Sequence, residues 1–150
     1  MGIEQEINQV NFRNEFQKAG INFIYTYNWF NERMKQFFDK EDITPQQFNI
    51  LRILRGAGKP ISTLQIRQRM LDKMSDTSRI VDRLIAKKLA QKNVCPNDKR
   101  LVDVSITEAG KVLLEKIDVC NKDMDAIFDN LSETDAQILN SLFDKLREGK

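Results

Sequence analysis

Arg79 and Arg83 stand four residues apart, and a second cationic pair, Lys99-Arg100, follows the turn-forming run Pro96-Asn97-Asp98. Residues four apart share one face of a helix. A guanidinium presents a planar fork of donors that fits a phosphate or the major-groove edge of guanine. Two of them on one outward face therefore suit a polyanion with readable base edges. Thr77 and Ser78 are short enough to let such a face come close, and backbone N–H groups near Ser75 can hold a phosphate. A basic hairpin tip, here Asn97 to Arg100, suits a narrow groove where negative potential is focused. Asp98 can hold Arg100 in a fixed pose and so lower the entropy cost of binding. The plainer alternatives are surface pairing of Arg79 and Arg83 with Asp76 and Asp82, and an ordinary polar turn at the tip.

Other chemistry finds little support. The chain has no histidine, no glycine-rich phosphate loop and no nucleophile–base pair, so an enzyme is not expected, nor a cofactor or metal. Cys95 and Cys120 lack C-x-x-C spacing, which argues against a disulfide framework or a zinc site. Cys120 falls on an apolar helix stripe and reads as a small buried hydrophobe. Cys95, beside the turn and near Lys92, is the one candidate for a redox-active thiol.

The elements that must position the arginines follow from caps and periodicity. Phe16, Phe23, Tyr27, Phe30, Met34 and Phe37 recur at three–four spacing and predict a first helix over about residues 11–38. So long an aromatic seam fits either a core within the chain or packing on a second subunit. Thr44-Pro45-Gln46-Gln47 is a capping box and opens a second helix that ends at Gly56 and Gly58. A third begins at Ser62 or Thr63 and ends near residues 71–74; a fourth runs from Ser75 to about Lys88. Two short helices so close form a helix-turn-helix. Val102, Val104 and Ile106 alternate with polar residues and, with residues 89–95, predict a β-hairpin around the basic tip. Leu113, Ile117, Cys120, Met124, Ile127 and Leu131 predict a fifth helix, and Ser132 caps a sixth. The whole is mainly α with a small β-hairpin wing, one domain. Residues 44–107 form a winged helix-turn-helix lobe, and about 1–40 and 108–150 are long terminal helices suited to dimerisation.

Charge follows the same division. The net charge is only +2, yet residues 63–100 hold ten Lys/Arg against four Asp/Glu, and residues 101–150 hold six against eleven. A local cationic surface is what polyanion binding needs, because neutralising phosphates releases counterions; charge runs can equally be solvated helix faces. No apolar run reaches the roughly 18–20 residues of a membrane span, and the N-terminus lacks a signal-peptide pattern, so a soluble, cytoplasmic protein is expected.

The run Ser78-Arg79-Ile80-Val81-Asp82-Arg83-Leu84, then Lys88-Leu89 and Lys92, the tip Asn97-Asp98-Lys99-Arg100, and Val104-Ser105-Ile106-Thr107-Glu108-Ala109-Gly110 together resemble the MarR family of regulators. Thr44-Pro45-Gln46-Gln47-Phe48-Asn49-Ile50-Leu51 extends the resemblance, which covers about residues 40–112. Two departures stand out: Lys88 occupies a position where the family usually has glycine, and the turn Leu71-Asp72-Lys73-Met74 lacks the usual glycine or valine. The resemblance implies a homodimer with intertwined terminal helices. It also implies double-stranded DNA as partner, Arg79 and Arg83 as recognition-helix arginines, and Arg100 in the minor groove with Asp98 as its partner. A small aromatic or phenolic effector is implied as well; Tyr25, Trp29 and Phe30 are candidates to line its cleft, or else serve ordinary packing. The function expected is sequence-specific regulation of transcription, by repression at an inverted repeat. The competing expectation is a winged-helix module for protein association alone.

Overall fold

The computed structural model describes residues 1–95 and 98–149. A one-turn helix α1, Ile3–Glu6, precedes the long helix α2, Glu15–Asp39. The latter starts four residues later than its periodicity predicts, because Asn14 is extended and its side chain caps the helix by accepting the N–H of Gln17 at 2.8 Å. Sequence periodicity gives no sign of α1. It is held instead by tertiary contacts: Ile3 is buried, Glu4 pairs with Lys18, and the Tyr25 hydroxyl donates to Glu6 at 2.9 Å.

The N-terminal tether is pH-sensitive. The hydrogen bond from Lys18 to the charged carboxylate holds Glu4 below its ordinary value of 4.5. The hydrogen bond to Glu6 raises the Tyr25 hydroxyl above its ordinary value of 10.0. Glu4's contribution is therefore complete above 4.5 and lost as pH falls through its depressed value. That of Tyr25 is complete below 10.0 and lost as pH rises through its raised value. Amide exchange at Ile7, whose N–H bonds the Ile3 carbonyl, should accelerate on acidification relative to amides of the central sheet. Equal change in both would show that α1 has no tether of its own.

The winged lobe begins with α3, Pro45–Ala57, opened by the Thr44–Gln47 capping box and closed by Gly58 in the left-handed region at φ 66°. Next come β1 (Ile61–Ser62), α4 (Thr63–Arg69), α5 (Thr77–Ala86), β2 (Ala90–Cys95) and β3 (Asp98–Ile106). The strands form one antiparallel sheet in the order β1-β3-β2, with Ile61 opposite Val104 and Ala90 opposite Ile106. Strand β1 was not expected from the sequence. It is two residues long, and its pairing with β3 is what defines it. Val104, Ile61, Ile50, Leu51, Ile66, Leu84 and Leu114 are fully buried and form the centre of the lobe's core. One face of α3 lies against α5, α6 and β3.

Helix α6, Glu108–Asp118, is capped by Thr107, which accepts the N–H of Gly110 at 3.1 Å. The hydroxyl of Thr107 also donates to the Lys88 carbonyl at 2.8 Å and so ties the helix to the end of α5. Arg55 and Asp118, 2.7 Å apart, link α3 to α6. The fifth helix predicted through Leu131 is broken. The N–H of Cys120 bonds the Ile117 carbonyl, which tightens the last turn; α7 (Asn121–Asp125) and a 3-10 turn (Ala126–Phe128) follow. Helix α8, Glu133–Arg147, is capped by Ser132 as predicted. Phe23 meets Phe143 and Phe30 meets Phe128, with ring centroids 5.7 and 5.6 Å apart, so part of the aromatic seam packs within the chain. The rest does not: Phe16 is 86% exposed, and Ile24, Tyr27, Ile138, Leu142 and Leu146 are exposed too.

Candidate nucleic-acid interface

Helix α5 is amphipathic, with Thr77, Val81 and Leu84 buried and Ser78, Arg79, Asp82 and Arg83 facing outward. Its start is set by Asp76, whose carboxylate accepts the N–H of Arg79 at 3.3 Å. Sequence alone predicts a start at Ser75, with Asp76 and Thr77 on the outward face. Three cap-forming residues stand in a row here, and burial of Thr77 selects the second.

Thr77 is 0% exposed, so its hydroxyl cannot reach a base edge from this position, which corrects the expectation of an outward contact. That hydroxyl finds no hydrogen-bond partner among the described residues. An unpaired buried hydroxyl costs about 1–3 kcal/mol. Thr77→Val should therefore stabilise the protein by about 1 kcal/mol, seen as a higher denaturation midpoint, and leave any DNA affinity unchanged. Weakened binding by the stabilised variant would restore Thr77 to the contact set. Ser75 is half-buried, and its N–H already bonds the Asp72 carbonyl at 3.3 Å; the Met74 N–H bonds the Asp72 carboxylate at 2.9 Å. These two N–H groups are thus engaged within the turn.

Among the described residues no carboxylate lies within salt-bridge distance of Arg79 or Arg83. Asp76 is used as a cap, and Asp82 pairs with Lys92 of β2 at 3.1 Å. Surface pairing, the plainer alternative for the two arginines, is therefore not what the fold builds. The Asp82–Lys92 pair joins α5 to the base of the hairpin. Residues ten apart in sequence meet only through the intervening turn, so no local pattern marks it.

The helix-turn-helix is braced from behind. The buried Asn49 side chain of α3 accepts the N–H of Leu71 at 2.9 Å, just beyond α4. Lys73 donates to the carbonyls of Arg67 and Gln68 and closes α4, which ends at Arg69 rather than near residue 71. Lys87 reaches the Asp42 carbonyl and carboxylate and the Gln47 side chain, so it ties α5 to the loop before α3.

Lys88 adopts φ 64°, the left-handed conformation that favours glycine. Its N–H bonds Ile85, and the N–H of Leu89 bonds Leu84, the pattern of a Schellman end. The expected C-cap geometry is thus present without glycine. Lys88→Gly should stabilise the protein by about 1 kcal/mol, seen as a higher denaturation midpoint; a lower midpoint would mean the side chain repays its strain elsewhere.

In the wing, β2 and β3 pair from Ala90–Ile106 to Cys95–Asp98, with an irregularity between Val94 and Cys95. Asp98 opens β3. Asn97 and the side chains of Lys99, Arg100 and Cys95, on which the sequence reading placed the tip contacts and the candidate thiol, lie outside the described residues. In the single chain Tyr25 bonds Glu6, Trp29 carries the Arg33 guanidinium 3.9 Å from its ring centroid, and Phe30 meets Phe128.

Residues 41–101 match the model of the MarR family. The HTH-type transcriptional repressor MdtR of Bacillus subtilis (strain 168) is 30% identical over 84 residues, 56% of this chain and 54% of its own length. The match thus spans about half of that relative. Among solved structures, a mutant of MarR from Escherichia coli complexed with operator DNA shares the fold with a TM-score of 0.80 at 24% identity, covering 92% of this chain and 99% of that one. Bordetella bronchiseptica BpsR, whose DNA binding is regulated by 6-hydroxynicotinic acid, gives 0.77 at 22% identity, covering 87% and 99%. The winged lobe is thus similar in sequence to the MarR family, and nearly the whole chain shares the winged helix-turn-helix fold of these structures.

Proposed function

We propose that the protein is a cytoplasmic, homodimeric repressor that binds a pseudo-palindromic operator and is released by a small aromatic or phenolic effector. The observation that carries this reading is the outward face of α5, where Arg79 and Arg83 stand without acidic partners among the described residues, beside the wing. Two such helices enter successive major grooves, and Asp98, Lys99 and Arg100 of each wing meet the flanking minor groove. Ser78 sits at the base edges.

The dimer reading is supported by Phe16, Ile24, Tyr27, Leu142 and Leu146, which leave α2 and α8 with apolar faces unpartnered in one chain. Burying each such side chain is worth about 1.5–3 kcal/mol. A second copy covers them and sets the spacing of the two winged lobes. The effector reading draws on BpsR and its 6-hydroxynicotinic acid; Tyr25, Trp29 and Phe30 line a cleft completed by the second chain. No helix among the described residues is long and apolar enough to cross a membrane.

The test is selection of bound fragments from a genomic DNA pool, followed by binding at several salt concentrations. Enrichment of an inverted repeat, bound by a dimer with affinity that falls steeply with salt, is the expected result. Equal, weak binding to all duplexes would leave a protein-association module as the reading.

A further inference from the structure

The turn between α4 and α5 presents two large apolar side chains to solvent, Leu71 at 79% exposure and Met74, of which Met74 stands nearer the start of α5. Met74 is 92% exposed, two residues before the Asp76 cap. Its polar neighbours are engaged inward. Lys73, the only cation of the turn, donates to the carbonyls of Arg67 and Gln68. Asp72 accepts the N–H groups of Met74 and Ser75 through its carboxylate and carbonyl. These bonds fix the backbone of the turn while leaving the Met74 side chain outside it.

Residues at the N-terminal end of a recognition helix lie nearest the base edges. The one apolar feature of the major groove is the thymine 5-methyl group. An unbranched, polarisable thioether adapts to such a contact better than a branched side chain. We infer that Met74 is a specificity-determining residue that packs on a thymine methyl in each half-site. This inference rests on the DNA-binding reading above and adds a base to it. It also gives the turn Leu71-Asp72-Lys73-Met74, where the chain departs from the usual glycine or valine of the family it resembles, a chemical consequence.

The test uses the full-length protein and a duplex it selects from a random-sequence pool. Each thymine of the half-site is replaced in turn by deoxyuridine, which keeps the base pair and removes the methyl. At one position the replacement should weaken wild-type binding about fourfold, the equivalent of burying one methyl group. Met74→Ala should weaken binding to the unmodified duplex by a similar factor, and the deoxyuridine duplex should cost this variant nothing further. Met74→Leu should retain the methyl sensitivity in part. Wild-type affinity in Met74→Ala, additive losses, or the absence of any methyl-sensitive thymine would overturn the inference. If the wild type enriches no duplex, the regulator reading itself falls, and this inference with it.

Discussion

Gly110→Ala should destabilise the protein by about 3 kcal/mol, enough to lower its melting temperature by about 6–12 °C. A Cβ at this position would collide with the carbonyl oxygen of Leu89 and lie 2.7 Å from Cγ1 of Ile106. Neither obstacle can yield cheaply. The Leu89 carbonyl accepts the N–H of Thr107, and Ile106 pairs with Ala90 at the end of the sheet. Relief would require α6 to move off the lobe, taking the fully buried Leu114 with it. The requirement is steric and not conformational, since Gly110 is absent from the positive-φ residues. Thermal denaturation measures the effect. A variant that melts with the wild type would show that α6 does not approach the end of α5 as closely as the structure places it. Gly56→Ala is the matching control, because nothing lies within 4 Å of its added Cβ.

The second large effect concerns Arg79 and Arg83. Removing both guanidinium groups should reduce operator affinity by about 100-fold or more, since each base or phosphate contact is worth about 1–3 kcal/mol. The fold should be unaffected, because both side chains are exposed and neither has an ion-pair partner among the described residues. Single variants separate their roles. Loss of discrimination at one base pair marks a guanine contact; a uniform loss with a salt slope reduced by about one marks a phosphate contact. Operator affinity that survives the double substitution would remove α5 from the groove.

How far the sequence carried depended on whether a feature is local. The Thr44–Gln47 capping box and the alternation around Val104 each lie within a few residues, and both appear where expected. The choice among Ser75, Asp76 and Thr77 as cap is not local, because all three are good caps and only the burial of Thr77 decides. The same holds for β1, which exists by pairing with β3, and for α1, which is fastened by Lys18 and Tyr25. The three–four spacing continues through Leu131 because apolar residues keep that rhythm across α6, α7 and the 3-10 turn, although the α-helical hydrogen bonding is interrupted between them. Within the candidate site, Arg79 and Arg83 were legible from spacing and context. Asp82–Lys92, Asn49–Leu71 and the outward pose of Met74 were not, because each depends on which segment the fold brings alongside.

The two parts of the chain differ in what holds them. The winged lobe encloses Ile50, Leu84, Val104 and Leu114 within one chain, whereas α8 buries none of its residues. Lobe stability is therefore a property of the single polypeptide, while in the proposed dimer order in α8 would obey mass action, a second copy supplying its missing surface. Dilution would then loosen the ends before it touched the winged lobe. Occupancy of a two-part target would decline more steeply than protein number, making dosage itself a control on the response.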